Sequence, residues 1–152
     1  ADPQNDCHHS AYLTQPTTFG VTQALIGTAH ATGLRPAIIL GINSTDEVFV
    51  RCNTEDALQI AGEGRSTGFF GVSRNSSAAF GARVHGADYT LSSASIAPST
   101  LDSFVFARNS VGSPINIASA RLAFYSIGTA ISDLAAFDAR VTALVTATGA
   151  AV

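Results

Sequence analysis

The chain has no Lys, no Met and no Trp, only two Cys, and charged residues fill 12% of its 152 positions, about half the roughly 25% usual for soluble domains. Each shortage excludes something. All eight basic residues are Arg, set against eleven acidic ones for a net charge of −3, so the clustered basic surface that phosphate backbones require is missing and nucleic-acid binding is not expected. No apolar run approaches the roughly 18 residues of a membrane span; the longest, Ala37 to Ile42, is strand length, and no membrane insertion is expected. Asp2, Asn5, Asp6, His8 and His9 stand where the apolar stretch of a secretory signal would lie, so none is expected at that end. Cys7 and Cys52 could in principle bridge, yet they are too few for a disulfide framework in a domain of this size and are expected to be free, half-buried thiols.

What is present is hydroxyl and glycine. Ser and Thr number 31 and Gly 13, so the polar surface is built with few charges. Such a surface suits a secreted module, or a subunit whose outside is covered by neighbours, because interfaces are depleted of Lys and Glu and tolerate Arg.

Short alternating runs punctuated by Gly, Pro, Asn or Ser recur as far as residue 127 and predict an all-β domain. The predicted strands are Ser10–Leu13, Thr22–Gly27, Ala37–Ile42, Glu47–Cys52, Leu58–Ala61, Gly68–Arg74, Ala79–His85, Tyr89–Ser92, Ser103–Arg108 and Arg121–Ile127. Ten strands exceed what one open sheet holds comfortably, so an antiparallel two-sheet sandwich or jelly roll is expected. Asn43–Ser44, Asn75–Ser76–Ser77, Asn109–Ser110 and Gly112–Ser113–Pro114 read as turns. From Ile131 the period changes: Leu134, Phe137, Val141, Leu144 and Val145 fall at spacings of three and four, predicting an amphipathic helix with Ser132 as N-cap, Asp133 complementing the dipole and Gly149 at C′. Residues 1–128 then form the sandwich and 129–152 a C-terminal helix of the same domain. Leu134, Phe137, Val141 and Leu144 pack the helix on its own sandwich or form a self-associating seam, a trimer being the favoured assembly.

Two strands end alike, in Arg74-Asn75-Ser76 and Arg108-Asn109-Ser110. Alternation puts Arg74 on the face of Phe70 and Val72, and Arg108 on the face of Phe104 and Phe106, with the guanidinium reaching the sheet rim. Either these are core-edge strands closed by Asn turns, or Arg74, Asn75, Arg108 and Asn109 form a ligand-binding polar cluster at one end of the sandwich, where loops carry binding.

Catalytic patterns are missing. On an extended chain His8 and His9 point to opposite faces and cannot easily share an ion, and His30 and His85 stand alone, so no metal site or cofactor is expected. There is no G-x-S-x-G elbow, Gly62-Glu63-Gly64-Arg65 lacks the Lys-Ser/Thr of a P-loop, and Asp46–Glu47 and Glu55–Asp56 are adjacent pairs that alternation splits between faces, without the spaced carboxylate triad of sandwich glucanases. No enzyme is expected. Carbohydrate binding has the polar loops it needs, with Tyr12, Tyr89, Tyr125 and nine Phe as stacking candidates.

Arg121-Leu122-Ala123-Phe124-Tyr125-Ser126-Ile127-Gly128, then Asp133-Leu134-Ala135 and Phe137-Asp138-Ala139-Arg140-Val141, with Gly68 to Ser76 and Phe104 to Arg108 upstream, resemble the C-terminal region of a group of tailed-bacteriophage and prophage virion proteins. Residues 68 to 145 carry the resemblance. It implies a concanavalin A-like, laminin-G-like sandwich located on the virion, non-enzymatic, in a tail fibre or surface decoration, partnered by other virion subunits in a homo-oligomer and presenting loops to host surface glycans. A secreted carbohydrate-binding or glycan-cleaving module is the alternative.

Overall fold

A computed structural model describes residues 4–16, 21–29, 36–42, 46–64 and 66–149; the turn expected at Asn43–Ser44, and His30, lie outside them. The strands are β1 Cys7–Gln15, β2 Gln23–Ala29, β3 Pro36–Ile42, β4 Glu47–Cys52, β5 Leu58–Ala61, β6 Gly68–Arg74, β7 Ala79–Val84, β8 Ala87–Ser92, β9 Phe104–Val105, β10 Arg108–Ser110, β11 Ser113–Ile115 and β12 Arg121–Gly128, followed by helix α1, Leu134–Ala147. One sheet runs β12-β1-β6-β7-β8; the other runs β11-β10-β2-β3-β4-β5, with β9 also on β2. Every pairing between strands is antiparallel except β10 with β2. The fold is the antiparallel two-sheet, jelly-roll-like sandwich that the alternation implies.

Alternation explains why these segments are strands and which way each faces. In β4 Val48, Val50 and Cys52 are buried while Glu47, Phe49 and Arg51 are half-buried, and β7 repeats the pattern with Phe80, Ala82 and Val84 inward. These side chains meet Ala11 and Leu13 of β1, Leu25 and Ile26 of β2, Ile60 of β5, and Phe70 and Val72 of β6 in one inter-sheet core. Each Val, Leu, Ile or Phe among them contributes about 1.5–3 kcal/mol on burial.

One predicted strand is divided. Phe106 has φ +64°, a conformation costly for a bulky residue, so the ladder breaks there and Ser103–Arg108 becomes the two-residue β9 and the separate β10. Gly112–Ser113–Pro114 is likewise not a turn. The reversal occurs at Val111 and Gly112, both with positive φ, and Ser113 and Pro114 pair with Ser110 and Asn109 in β11.

The helix covers the outer face of the five-stranded sheet. Phe69, Val141 and Val145 form a second buried cluster with Tyr12, Ala123, Phe124 and Phe137 around it. Its N-cap is Asp133 rather than Ser132: the Asp133 carboxylate accepts the Ala136 N–H at 2.8 Å, and an anion there also faces the positive end of the dipole. Gly149 adopts φ +67° just past the last turn, the left-handed C′ geometry that glycine supplies. Of the expected packing residues, Leu134 and Phe137 are half-buried and Val141 is buried, but Leu144 is 52% exposed. Val145 takes its place against the sheet, because a helix 14 residues long presents only a narrow stripe to one sheet face.

Candidate functional site

α1 packs on the five-stranded sheet, and a row of polar side chains stands on the outer face of the seven-stranded sheet. β4 supplies Glu47, Phe49 and Arg51, since Val48, Val50 and Cys52 take the inward positions. Gln59 of β5 stands opposite Phe49. Across the sheet, Arg51 pairs with Ile39, Ile39 with Gly27 and Gly27 with Arg108. Directly opposed residues share a face, so Arg51 and Arg108 lie on one row of the outer face with β2 and β3 between them, about 14 Å apart at roughly 4.8 Å per strand. Side chains as long as arginine's can converge over such a gap.

Arg108 is the distinctive member. Its side chain is half-buried, its Nε is fully enclosed without a hydrogen-bond acceptor, and burial pushes its guanidinium below the usual pKa. Desolvation is the sole cause of that shift; no carboxylate offsets it. An arginine stays protonated in such a setting, and a partly desolvated cation lacking an acceptor gains most from an incoming anion, with which its planar fork forms paired hydrogen bonds.

The other members of the expected Arg/Asn cluster have different roles. Arg74 is fully buried. Its Nε donates to the Cys52 carbonyl at 2.6 Å, Nη1 to Ser76 at 2.9 Å, and both terminal nitrogens to the Ser93 carbonyl at 3.3 Å, while the guanidinium lies 5.3 Å from the Phe80 ring centroid. It ties the two sheets and the segment after β8 together, and a glycan cannot reach it. Asn109 is buried as well: its Nδ2 donates to the Asp102 carbonyl and its Oδ1 accepts the Gly112 N–H, both at 2.8 Å. It braces the β10–β11 turn. Asn75 is exposed and lines a groove of about 280 Å³ between β7–β8 and the connection into α1, beside Asp88, Thr90 and Asp133. Tyr89 lines that groove too, but packs against the inter-sheet core. The four residues therefore do not form one cluster. Arg108 faces outward, Arg74 and Asn109 inward, and Asn75 sits on the other sheet. Arg51 and Phe49, not singled out in the sequence, were detectable only as the outward half of the β4 alternation.

His8 and His9 stand on opposite faces of β1. His9 points between the sheets and is held at about pKa 3, chiefly by burial and then by the charge of His8. His8 points to the opposite face, where its ring nitrogens meet the Thr129 carbonyl and Ser126 Oγ and hold the link from β12 to the helix. Among the described residues, no three His, Cys, Asp or Glu side chains come together as a metal site.

Among solved structures, the chain is similar to the CBM40 module of the Ruminococcus gnavus IT-sialidase, with TM-score 0.67 and 15% identity over 89% of this chain and 83% of that one. It matches the same module bound to α2,3-sialyllactose with TM-score 0.67 and 14% identity over 90% and 83%. It is also similar to a leech intramolecular trans-sialidase complexed with 2,7-anhydro-Neu5Ac, with TM-score 0.64 and 14% identity, covering 87% of this chain but 22% of that one. At such identities the likeness shows the sandwich fold. Nothing in these likenesses points to a phage origin. No protein-family model and no curated protein matches the sequence.

Proposed function

We propose that this chain is a non-catalytic glycan-binding module that takes an acidic sugar, of the sialic-acid type, on the outer face of the seven-stranded sheet. One observation carries the reading: Arg108, half-buried, desolvated and without an acceptor, stands in the same row as Arg51. A sugar carboxylate satisfies that guanidinium with charge-assisted hydrogen bonds. Phe49 offers an apolar edge to the ring, and Gln59 a neutral hydrogen-bonding group. Support comes also from the matched CBM40 module, solved with α2,3- and α2,6-sialyllactose. The absence from the sequence of a carboxylate triad favours binding over cleavage.

The reading is tested by titrating the full chain with α2,3-sialyllactose and with lactose in a calorimeter. Binding is expected for the sialylated sugar alone, weakened at least tenfold by Arg108→Ala and reduced by added salt. Equal affinity for lactose, or an unchanged affinity in Arg108→Ala, overturns it.

The resemblance of residues 68 to 145 to virion proteins favours a second setting, the same module borne on a particle as a homo-oligomer. The native mass in solution tests this: a monomer at high micromolar concentration rejects the oligomer.

A further inference from the structure

Glycan binding leaves unused a pair of fully buried thiols. Cys7 opens β1 in the five-stranded sheet and Cys52 ends β4 in the seven-stranded sheet. Both thiols point inward, have no exposed area and are not joined by an S–S bond, yet their sulfurs are 3.0 Å apart. That is nearer than the roughly 3.5–4.0 Å at which carbon atoms pack. The surroundings include polar groups. Asn53 Nδ2 donates to Cys7 Sγ at 3.4 Å. The buried Arg74 guanidinium binds the Cys52 carbonyl, and all of its hydrogen bonds end on neutral carbonyls of Cys52, Ser76 and Ser93. Burial pushes that guanidinium below its usual pKa.

We propose that Cys7 and Cys52 are a redox pair that closes into a disulfide between the two sheets by exchange with a small dialkyl disulfide such as oxidised glutathione. One cysteine thiolate attacks a sulfur of the reagent, forming a mixed disulfide and expelling one glutathione thiolate. The second cysteine attacks the protein-side sulfur of that mixed disulfide and expels the other. The two protons released by the cysteines end on the two glutathione thiolates, so the chain loses two electrons and the reagent gains them. Because both sulfurs are enclosed, the exchange belongs to the folding chain or to opening of the start of β1, and the finished bond is shielded from reductant. It ties positions 45 residues apart in sequence across the sandwich, so that β1 and β4 cannot separate.

The test refolds the full chain from denaturant over a series of reduced-to-oxidised glutathione ratios and reads its intact mass and a non-reducing digest. The folded product is expected to be lighter by two hydrogens, to yield one linked peptide containing Cys7 and Cys52, and to melt about 10 °C higher than the reduced chain, a gain removed by dithiothreitol under denaturing conditions. In Cys7→Ser and Cys52→Ser the remaining thiol is expected to stop at a glutathione adduct, with no dithiothreitol-sensitive shift. If either variant fails to fold, the wild-type mass still decides. Native chain that keeps both thiols open to alkylation after denaturation at every ratio, or that carries glutathione on each cysteine without the internal bond, overturns the proposal.

Discussion

Phe137 of α1 meets Phe69 of β6 edge to face, with ring centroids 5.9 Å apart and planes at 78°. His8 and Phe124 meet the same Phe137 ring at 5.9 Å and 6.1 Å, so three strands of the five-stranded sheet grip one helical side chain. The contact seats the helix on the five-stranded sheet.

Seating of this kind separates two neighbouring apolar positions. Val141 is 4% exposed and Leu144 52%. Val141→Asp buries a carboxylate among aromatic rings and is expected to cost about 3 kcal/mol or more, whereas Leu144→Asp stays within roughly 0.5 kcal/mol. Urea unfolding of both variants checks the difference, and equal losses contradict the seating described.

Gly71 lies beneath that helix. A Cβ built there comes 2.7 Å from Phe69 Cε1, 2.8 Å from Cζ and 3.4 Å from Leu134 Cδ2. The Phe69 ring is itself buried and has little room to yield. Gly71→Ala is expected to destabilise by about 1–3 kcal/mol despite alanine's better fit to extended backbone, and a neutral result in thermal unfolding counts against the close approach.

Val111 and Gly112 form the β10–β11 turn with φ of +51° and +88°. A β-branched residue is poor in that geometry, which Asn-Gly turns adopt readily, and the Val111 side chain is 68% exposed. Val111→Asn is therefore expected to raise stability by on the order of 1 kcal/mol. A lowered melting temperature assigns Val111 a contact worth more than the strain.

His9 sets a pH dependence. Its folded pKa of about 3 lies below its ordinary value of 6.5, so between these values the unfolded chain binds the extra proton. Stability is then expected to be full above pH 6.5 and to fall as pH drops toward 3, by up to about 1.4 kcal/mol per pH unit. His9→Gln flattens that part of the profile in urea titrations at stepped pH; an unchanged slope assigns the acid sensitivity elsewhere.

Much of the fold was legible because burial imposes a period. The spans of β4, β5 and β6 coincide with the runs read from alternation, and spacings of three and four in the last segment announced a helix that lies on the sandwich. Leu144 misled because two residues on adjacent edges of one stripe, Leu144 and Val145, look alike in sequence while only one faces the sheet.

The two Arg-Asn-Ser motifs mark where reading stopped. The sequence by itself determined a sandwich of alternating strands, a capped helix and a surface poor in charge, since each follows from local spacing and composition. For Arg74 the strand is unbroken, so it shares the inward face of Phe70 and Val72 as its spacing requires, and its charge is absorbed by carbonyls. For Arg108 the left-handed turn of the chain at Phe106 resets the phase, and pairing with Gly27 on β2 puts the side chain outside. Period two says that a strand has two faces. Which face meets the core, which arginine keeps an unanswered charge, and which two thiols meet across the sheets depend on long-range pairing, and only the tertiary structure decided them.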